Sequence, residues 1–285
     1  MNAVLKPVPR EATGRHRWQA RLEVGFGERA GRTVPVHRRH DGPLAIQRAF
    51  YPEGPVCHLY LLHPPGGLVG GDGLDITLEA AAQTHALLTT PGATKFYRSL
   101  GEPAEQVLSI RVAADSAVEW FPQESIYFDG CIAGTRARIQ LEPGARFIGW
   151  ETTVLGRPAS GDEFTQGTIT QRLDIYRDGE PLFLDAVQLT GDSELRTGVA
   201  GLDGRTAMAT MVATPVDAEW VAMIRERVKP RTGERFAVTL KDDLLVCRFI
   251  GDQALHARHL FEQVWRILRP LMLGRPACPP RIWST

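Results

Sequence analysis

The sequence predicts a mainly β fold: a single domain of many short strands, in a β-helical or sandwich-like coil, with two α-helices in the C-terminal third. Three observations carry this expectation. Apolar residues between Arg17 and Leu189 recur at period two or in short continuous runs, which is strand patterning. The segments between those runs are short and rich in Gly, Pro and Asp, with no helical-period stretch among them, and this excludes βαβ units. Apolar stripes of helical spacing appear only after Thr214.

Taken in order, residues 1–16 read as a loose arm. Trp18, Ala20, Leu22, Val24 and Phe26 then alternate with polar residues and give one apolar face. Residues 33–37 and 44–47 follow as strands, and residues 56–62 read as a more deeply buried one. Next comes His63-Pro64-Pro65-Gly66-Gly67-Leu68-Val69-Gly70-Gly71-Asp72. Glycine permits positive φ and close backbone approach, while proline fixes φ and removes a donor, so this loop has a specified shape. Its place between apolar runs predicts that it caps adjacent strands. Residues 74–78 and 86–89 are expected to pair. Residues 107–112, 117–121, 135–141, 146–155, 168–176 and 181–189 continue the series. The last two are split by Arg177-Asp178-Gly179-Glu180, and Asp-Gly between two such runs is a strong hairpin signal.

A first helix is expected to open at Pro215 with Thr214 as cap, Asp217 near its positive end, and Trp220, Val221, Ile224 and Val228 as its apolar stripe. Residues 236–240 and 244–250 read as a hairpin across Lys241-Asp242-Asp243. A second helix spans about residues 252–273, with Leu260, Phe261, Val264, Trp265, Leu268, Leu271 and Met272 on one face. Pro270 should end or kink it. The tail from Gly274 to Trp283 is too proline-rich to be regular.

Composition narrows the function classes. Lys plus Arg and Asp plus Glu both total 33, so the formal net charge is zero, which argues against a nucleic-acid surface. Low self-repulsion favours association with protein partners. Residues 1–16 form no secretory apolar segment, and no run reaches a membrane span's length. Cys57, Cys131, Cys247 and Cys278 are far apart and form no C-x-x-C, the pattern of unpaired thiols in a reduced, cytoplasmic protein.

The glycine loop invites a phosphate-binding reading that fails on context. It leads into a strand rather than a helix, and Gly92-Ala93-Thr94-Lys95 lacks the upstream glycine of a P-loop. His256 and His259, at i and i+3 on the second helix, are close enough to share a metal. Arg258 and Arg266 would repel a cation there, so a solvated face is the simpler account. Carboxylates beside aromatics recur at Glu119-Trp120, Glu124, Asp129 and Trp150-Glu151, leaving open a β-scaffold carbohydrate enzyme with paired carboxylates. No residues assemble a nucleophile with its base, so no catalytic residue is assigned.

Several long motifs, in order, carry a resemblance. His63 to Asp72, Thr89-Thr90-Pro91-Gly92-Ala93-Thr94-Lys95-Phe96-Tyr97-Arg98, Glu119 to Glu124, Phe128-Asp129-Gly130, Leu155 to Asp162, Arg177-Asp178-Gly179 and Pro279-Pro280-Arg281-Ile282-Trp283 resemble the signature segments of the UreD (UreH) family of urease accessory proteins. The similarity covers roughly residues 17–285. Mild departures are Cys131 after Phe128-Asp129-Gly130, and Asp162 where the family often has Glu.

The resemblance implies a non-catalytic maturation factor that binds apo-urease and recruits UreF and the GTPase UreG. Nickel would be a transient cargo handed into a dinuclear urease site with a carbamylated lysine, with no tightly bound cofactor. It also implies that His63, Pro64, Pro65, Gly66, Gly67, Gly70, Gly71, Pro91 and Gly92 form a structural motif. Transfer calls for weak, exchangeable oxygen ligands. Asp72, Thr89, Thr90, Glu124, Asp129 and Glu151 are therefore expected to line or flank an internal polar route, against the simpler role of capping strands and loop amides. UreF binding falls to the C-terminal part of such proteins, with Leu260, Phe261, Val264, Trp265 and Leu268 as the expected anchors.

Overall fold

The computed structural model describes residues 18–284; the arm expected over residues 1–16 lies outside them. Its central portion is a β-solenoid. One coil runs through Cys57–Leu62, Gly67–Leu68 and Gly73–Ala80, the next through His85–Thr89, Thr94–Phe96 and Ala104–Val112, and a third through Ala117–Phe121, Ser125–Tyr127 and Ile132–Leu141. Arg146–Leu155 and Thr168–Arg177 begin a fourth. Equivalent strands of successive coils stack in parallel on two broad faces and one narrow one.

Further strands, mostly antiparallel, extend both faces. Gln19–Arg29 lies parallel to Gly73–Ala80 and forms a hairpin with Arg32–Asp41, while Glu180–Thr190 closes the other edge against Thr168–Arg177. The second face grows from Arg146–Leu155 through Ala207–Thr214 and Leu244–Gly251 to Arg235–Lys241. This gives sheets of seven and eleven strands.

The strand pattern and both hairpins agree with the sequence reading, and Asp178 (φ 53°) and Gly179 (φ 83°) make the tight turn. The pairing of residues 74–78 with 86–89 is corrected: these segments belong to opposite faces. In a solenoid a strand's partner lies one full coil away, so the next apolar run along the chain is across the core rather than alongside. For the same reason the glycine loop joins the two faces instead of capping adjacent strands, and it contains the narrow-face strand Gly67–Leu68.

Three helices follow: the single turn α1 (Glu194–Thr197), α2 (Ala218–Arg227) and α3 (Ala254–Leu273). Sequence periodicity did not reveal α1. Thr214 belongs to a strand, and Asp217 rather than Thr214 occupies the N-cap position of α2. Val228 lies just past α2 but is buried with its stripe. Pro270 stays inside α3, which ends three residues later at Leu273 and is capped by Gly274 in the left-handed conformation (φ 63°). Burial of Leu268, Arg269 and Met272 holds that last turn, whereas Leu271 faces outward at 42% exposure.

The central strands of the helix-covered sheet are buried on both faces, which explains their near-continuous apolar runs. Val118 and Trp120 point into the solenoid core; Phe121, Leu87, Ile148 and Trp150 pack instead beneath α2 and α3. His58, Leu87, Glu119 and Ile148 are in register across four adjacent strands, so His58 and Glu119 share the helix-facing side with Leu87.

Candidate functional site: confluent internal cavities

Two cavities lie within the fold and share part of their walls. The first, about 340 Å³, opens beside His63, Pro64 and Gly66 on one loop and Pro91 and Gly92 on the next, and reaches inward to Thr135, Glu151 and Gln171. The second, about 230 Å³, begins at Glu151 and Gln171 and extends past Asp185, Arg248 and Arg172 to Leu195 and Gly201, beside α1. Both signature loops thus flank one mouth, and Glu151 stands where the cavities meet.

Glu151 occupies the centre of Arg146–Leu155, in register with Thr210. Among the described residues none donates a hydrogen bond or ion pair to its carboxylate. Burial, and then the charge of Asp185, push its pKa up to about 7. The accessible surface that Glu151 retains is cavity wall, so it is reachable by water while far from bulk solvation. Gln171 beside it is fixed: its amide donates to Tyr127 Oη at 3.2 Å and Thr153 Oγ1 at 2.9 Å. An unpaired carboxylate in a cavity wall can take a proton or a hydrated cation.

Of the six residues expected along a polar route, the structure places only Thr90 and Glu151 on these cavity walls. Thr90 Oγ1 accepts from the Gln123 amide at 2.9 Å. Thr89 is fully buried, donating to Phe121 O at 2.5 Å and accepting from Trp283 Nε1 at 3.0 Å. Asp72 accepts from the amides of Val69 (3.0 Å) and Trp18 (3.2 Å), and so closes the glycine loop. Asp129 takes both the Thr165 and Gln166 amides at 2.8 Å, the Thr165 hydroxyl and Arg98. Burial of Asp129 is outweighed by those donors, and its pKa falls. Glu124 lies outside both walls, so it does not share a cavity with Glu151 as a glycosidase pair.

The structural motif is tightly fitted. Gly66 and Gly71 have φ of 70° and 93°. A Cβ on Gly67 would stand 2.3 Å from Tyr97 Cε2, and one on Gly70 would stand 2.6 Å from Glu102 O. Gly66 N donates to His63 O at 2.8 Å, bringing the turn back over Pro64 and Pro65. Burial lowers the His63 pKa against the opposing charge of Asp72, giving a neutral imidazole at the mouth.

A second polar cluster, missed in the sequence, lies beneath α3. Arg269, fully buried, donates Nε and Nη2 to Glu119 at 3.0 Å, and Nη1 and Nη2 to Glu53 at 2.8 and 2.6 Å. Trp265 Nε1 also donates to Glu119, at 2.6 Å. His85 Nε2 and His58 Nε2 lie 2.7 and 2.6 Å from Glu119 and Glu53. Burial acts against ionisation of Glu119, but His85 and Arg269 outweigh it and lower its pKa. Glu53, His58 and Cys278 bring one potential ligand atom each within 4.8 Å, yet both Glu53 oxygens are held in the Arg269 fork. This cluster is therefore an ion network locking α3 to the sheet.

The same packing takes up the side chains expected as partner anchors. Leu260, Phe261, Val264, Trp265 and Leu268 are each 4% exposed or less and form part of the chain's own second core. Apolar spacing on a helix signals burial, and here the adjacent sheet supplies the surface. His256 is half-buried with Nδ1 2.6 Å from Glu234 Oε1, so it is engaged locally by that carboxylate, while His259 is exposed. All four cysteines are free. No helix among the described residues is long and apolar enough to cross a membrane.

Comparison with known proteins agrees with the motif resemblance. The model of the UreD urease accessory protein family matches residues 19–284. A urease accessory protein UreD from Alkalilimnicola ehrlichii is 43% identical over 280 residues, covering 98% of this chain and 96% of that protein. Those of Alcanivorax borkumensis (44% over 281 residues; 96% and 95% covered) and Pseudomonas putida W619 (42% over 271 residues; 94% and 95% covered) are similar to the same extent. With nearly the whole length matched, and the matched motifs forming the cavity mouth and coil corners, the chain belongs to the UreD family of urease accessory proteins.

Proposed function

We propose that this protein is a non-catalytic urease maturation factor that binds apo-urease, engages UreF and UreG, and passes nickel through its interior by way of the two cavities. The position of Glu151 carries this reading: an unpartnered carboxylate lines both of two adjoining, largely apolar cavities, the first of which is also lined by residues of the family's signature loops. Thr90 and Glu151 supply oxygen donors, and water supplies the rest. Hard oxygen ligands hold a divalent ion weakly enough to exchange, as transfer requires. Asp72, Thr89 and Asp129 act instead by fixing the loops and coil corners around the passage. The charge balance of 33 against 33 fits protein partners in the cytoplasm.

The test is coexpression of urease with its accessory proteins, with and without this chain, followed by urease activity and bound nickel. Nickel loading should require the chain and fall in Glu151→Leu while the accessory complex still assembles. Normal loading without the chain would overturn the reading.

A further inference from the structure

The second cavity contains a charge arrangement that passage of an ion alone does not need. Glu151, Thr210 and Arg248 are in register across three neighbouring antiparallel strands. Their side chains therefore share one sheet face, with the outer two backbones about 10 Å apart at ordinary strand spacing. Arg248 Nη1 donates to Thr210 Oγ1 at 3.3 Å, and the guanidinium lies 6.0 Å from the centre of the Phe183 ring. From the opposite sheet Asp185, paired in register with Leu173, reaches Arg248 Nη2 at 3.0 Å. Glu151, Asp185 and Arg248 all line the same cavity.

The two carboxylates differ in their present ties. Glu151 has no protein partner among the described residues, and Asp185 has one guanidinium. That pair is solvated, with side chains 43% and 24% exposed, so its net strength is small and it is readily exchanged. Two like charges facing one cavity repel each other unless a cation joins them.

Resting on the proposed cation route, we propose that Glu151 and Asp185 form a two-carboxylate waypoint for a hydrated divalent cation, and that Arg248 is the placeholder charge Asp185 releases when the ion arrives. The guanidinium neutralises Asp185 while the cavity is empty of metal. The ion then exchanges water for carboxylate oxygens, and Arg248 falls back on Thr210 and the Phe183 face. No covalent bond changes. The arrangement sets affinity: the resident charge competes with the cargo, so the waypoint binds loosely enough to hand it on.

The sign of the Arg248 effect is the test. Nickel(II) is titrated calorimetrically into the full-length chain at pH 8, with thermal melting to verify folding. Glu151→Gln and Asp185→Asn should each weaken binding at least about tenfold. Arg248→Gln should tighten it about three- to tenfold, the effect expected on removing one nearby competing charge. Arg248→Met, which keeps the stem that packs on Phe183, carries the same expectation if the Gln variant fails to fold. Unchanged or weakened binding in the Arg248 variants overturns the placeholder. If Glu151→Gln weakens binding while Asp185→Asn and Arg248→Gln do not, this inference falls and the route stands. If the wild-type chain binds no nickel and Glu151→Leu loads urease normally, both fall.

Discussion

Arg269 on α3 and Glu119 on the central sheet strand, 150 positions apart, hold each other through hydrogen bonds of 3.0 Å at sites that are 0% and 1% exposed. A carboxylate and a guanidinium sealed in this way are stable only together, because an unpaired buried charge is costly. Arg269 also carries Glu53, and its Nη1 donates to Pro276 O, so one side chain fastens the helix and the tail to the solenoid. Arg269→Met should lower unfolding free energy by about 3–5 kcal/mol, read by urea denaturation. Adding Glu119→Met should restore part of that loss, since the stranded carboxylate is then gone. A single-variant loss below about 1 kcal/mol would show that water reaches the network.

The same cluster sets an acid limit. Burial opposes ionisation of Glu53, but hydrogen bonds from His58 and Arg269 outweigh it and lower its pKa from 4.5 to about 2. A depressed carboxyl stabilises the fold above its unfolded pKa, and that contribution drains away as pH falls toward the folded value. Stability should therefore drop between about pH 4.5 and 2, by on the order of 2–3 kcal/mol from this group. Glu53→Gln should flatten that part of the curve in a tryptophan-fluorescence acid titration. An unchanged acid limb would move the sensitivity to another group.

The strands and both hairpins were legible because period two and Asp-Gly chemistry are local signals. Which strands pair was not: residues 74–78 and 86–89 are successive apolar runs, as hairpin partners are, and only coil closure assigns them to opposite sheets. Glu151 stood out in sequence as a carboxylate beside Trp150, but its lack of a partner depends on packing. Asp185 and Arg248 carried no signal, since they meet across sheets 63 residues apart in the chain. The α3 stripe was visible as apolar spacing, yet spacing alone does not distinguish an external partner from the chain's own sheet. Arg269 interrupts that stripe beside Leu268, and a charge at a core-facing position is the one sequence sign of the ion network.

The glycine motif makes separable demands. Gly66 (φ 70°) has no heavy atom within 4 Å of an added Cβ, so Gly66→Ala should cost only the backbone strain, about 1 kcal/mol. At Gly67 the Cβ would sit 2.3 Å from the Tyr97 ring and 3.1 Å from Lys95 O, forcing apart the narrow-face strands Gly67–Leu68 and Thr94–Phe96. Gly67→Ala should therefore cost more, about 1–3 kcal/mol. Thermal melts of the two variants rank them, and equal losses would contradict the close-approach role.

Asp72 and Glu151 were both expected along the polar route, but their environments predict opposite outcomes. Asp72 spends its oxygens on the Val69 and Trp18 amides, so Asp72→Leu strands two donors and should destabilise the fold by about 1–3 kcal/mol. Glu151 gives nothing to the fold, and its raised pKa means that ionisation is disfavoured in the folded state. A carboxyl with a raised pKa contributes most below its unfolded value and loses that contribution as pH rises through the folded one. Glu151→Gln should therefore stabilise the protein above about pH 7, where the wild-type carboxylate is charged, and have little effect below about pH 4.5. Nickel must displace the proton from this group, so wild-type affinity should climb between pH 6 and 8, a rise that Glu151→Gln should abolish. Melting curves and nickel titrations across that range check both signs. Destabilisation of Glu151→Gln at pH 8 would mean that its carboxylate has a structural partner and does not serve as a waiting ligand.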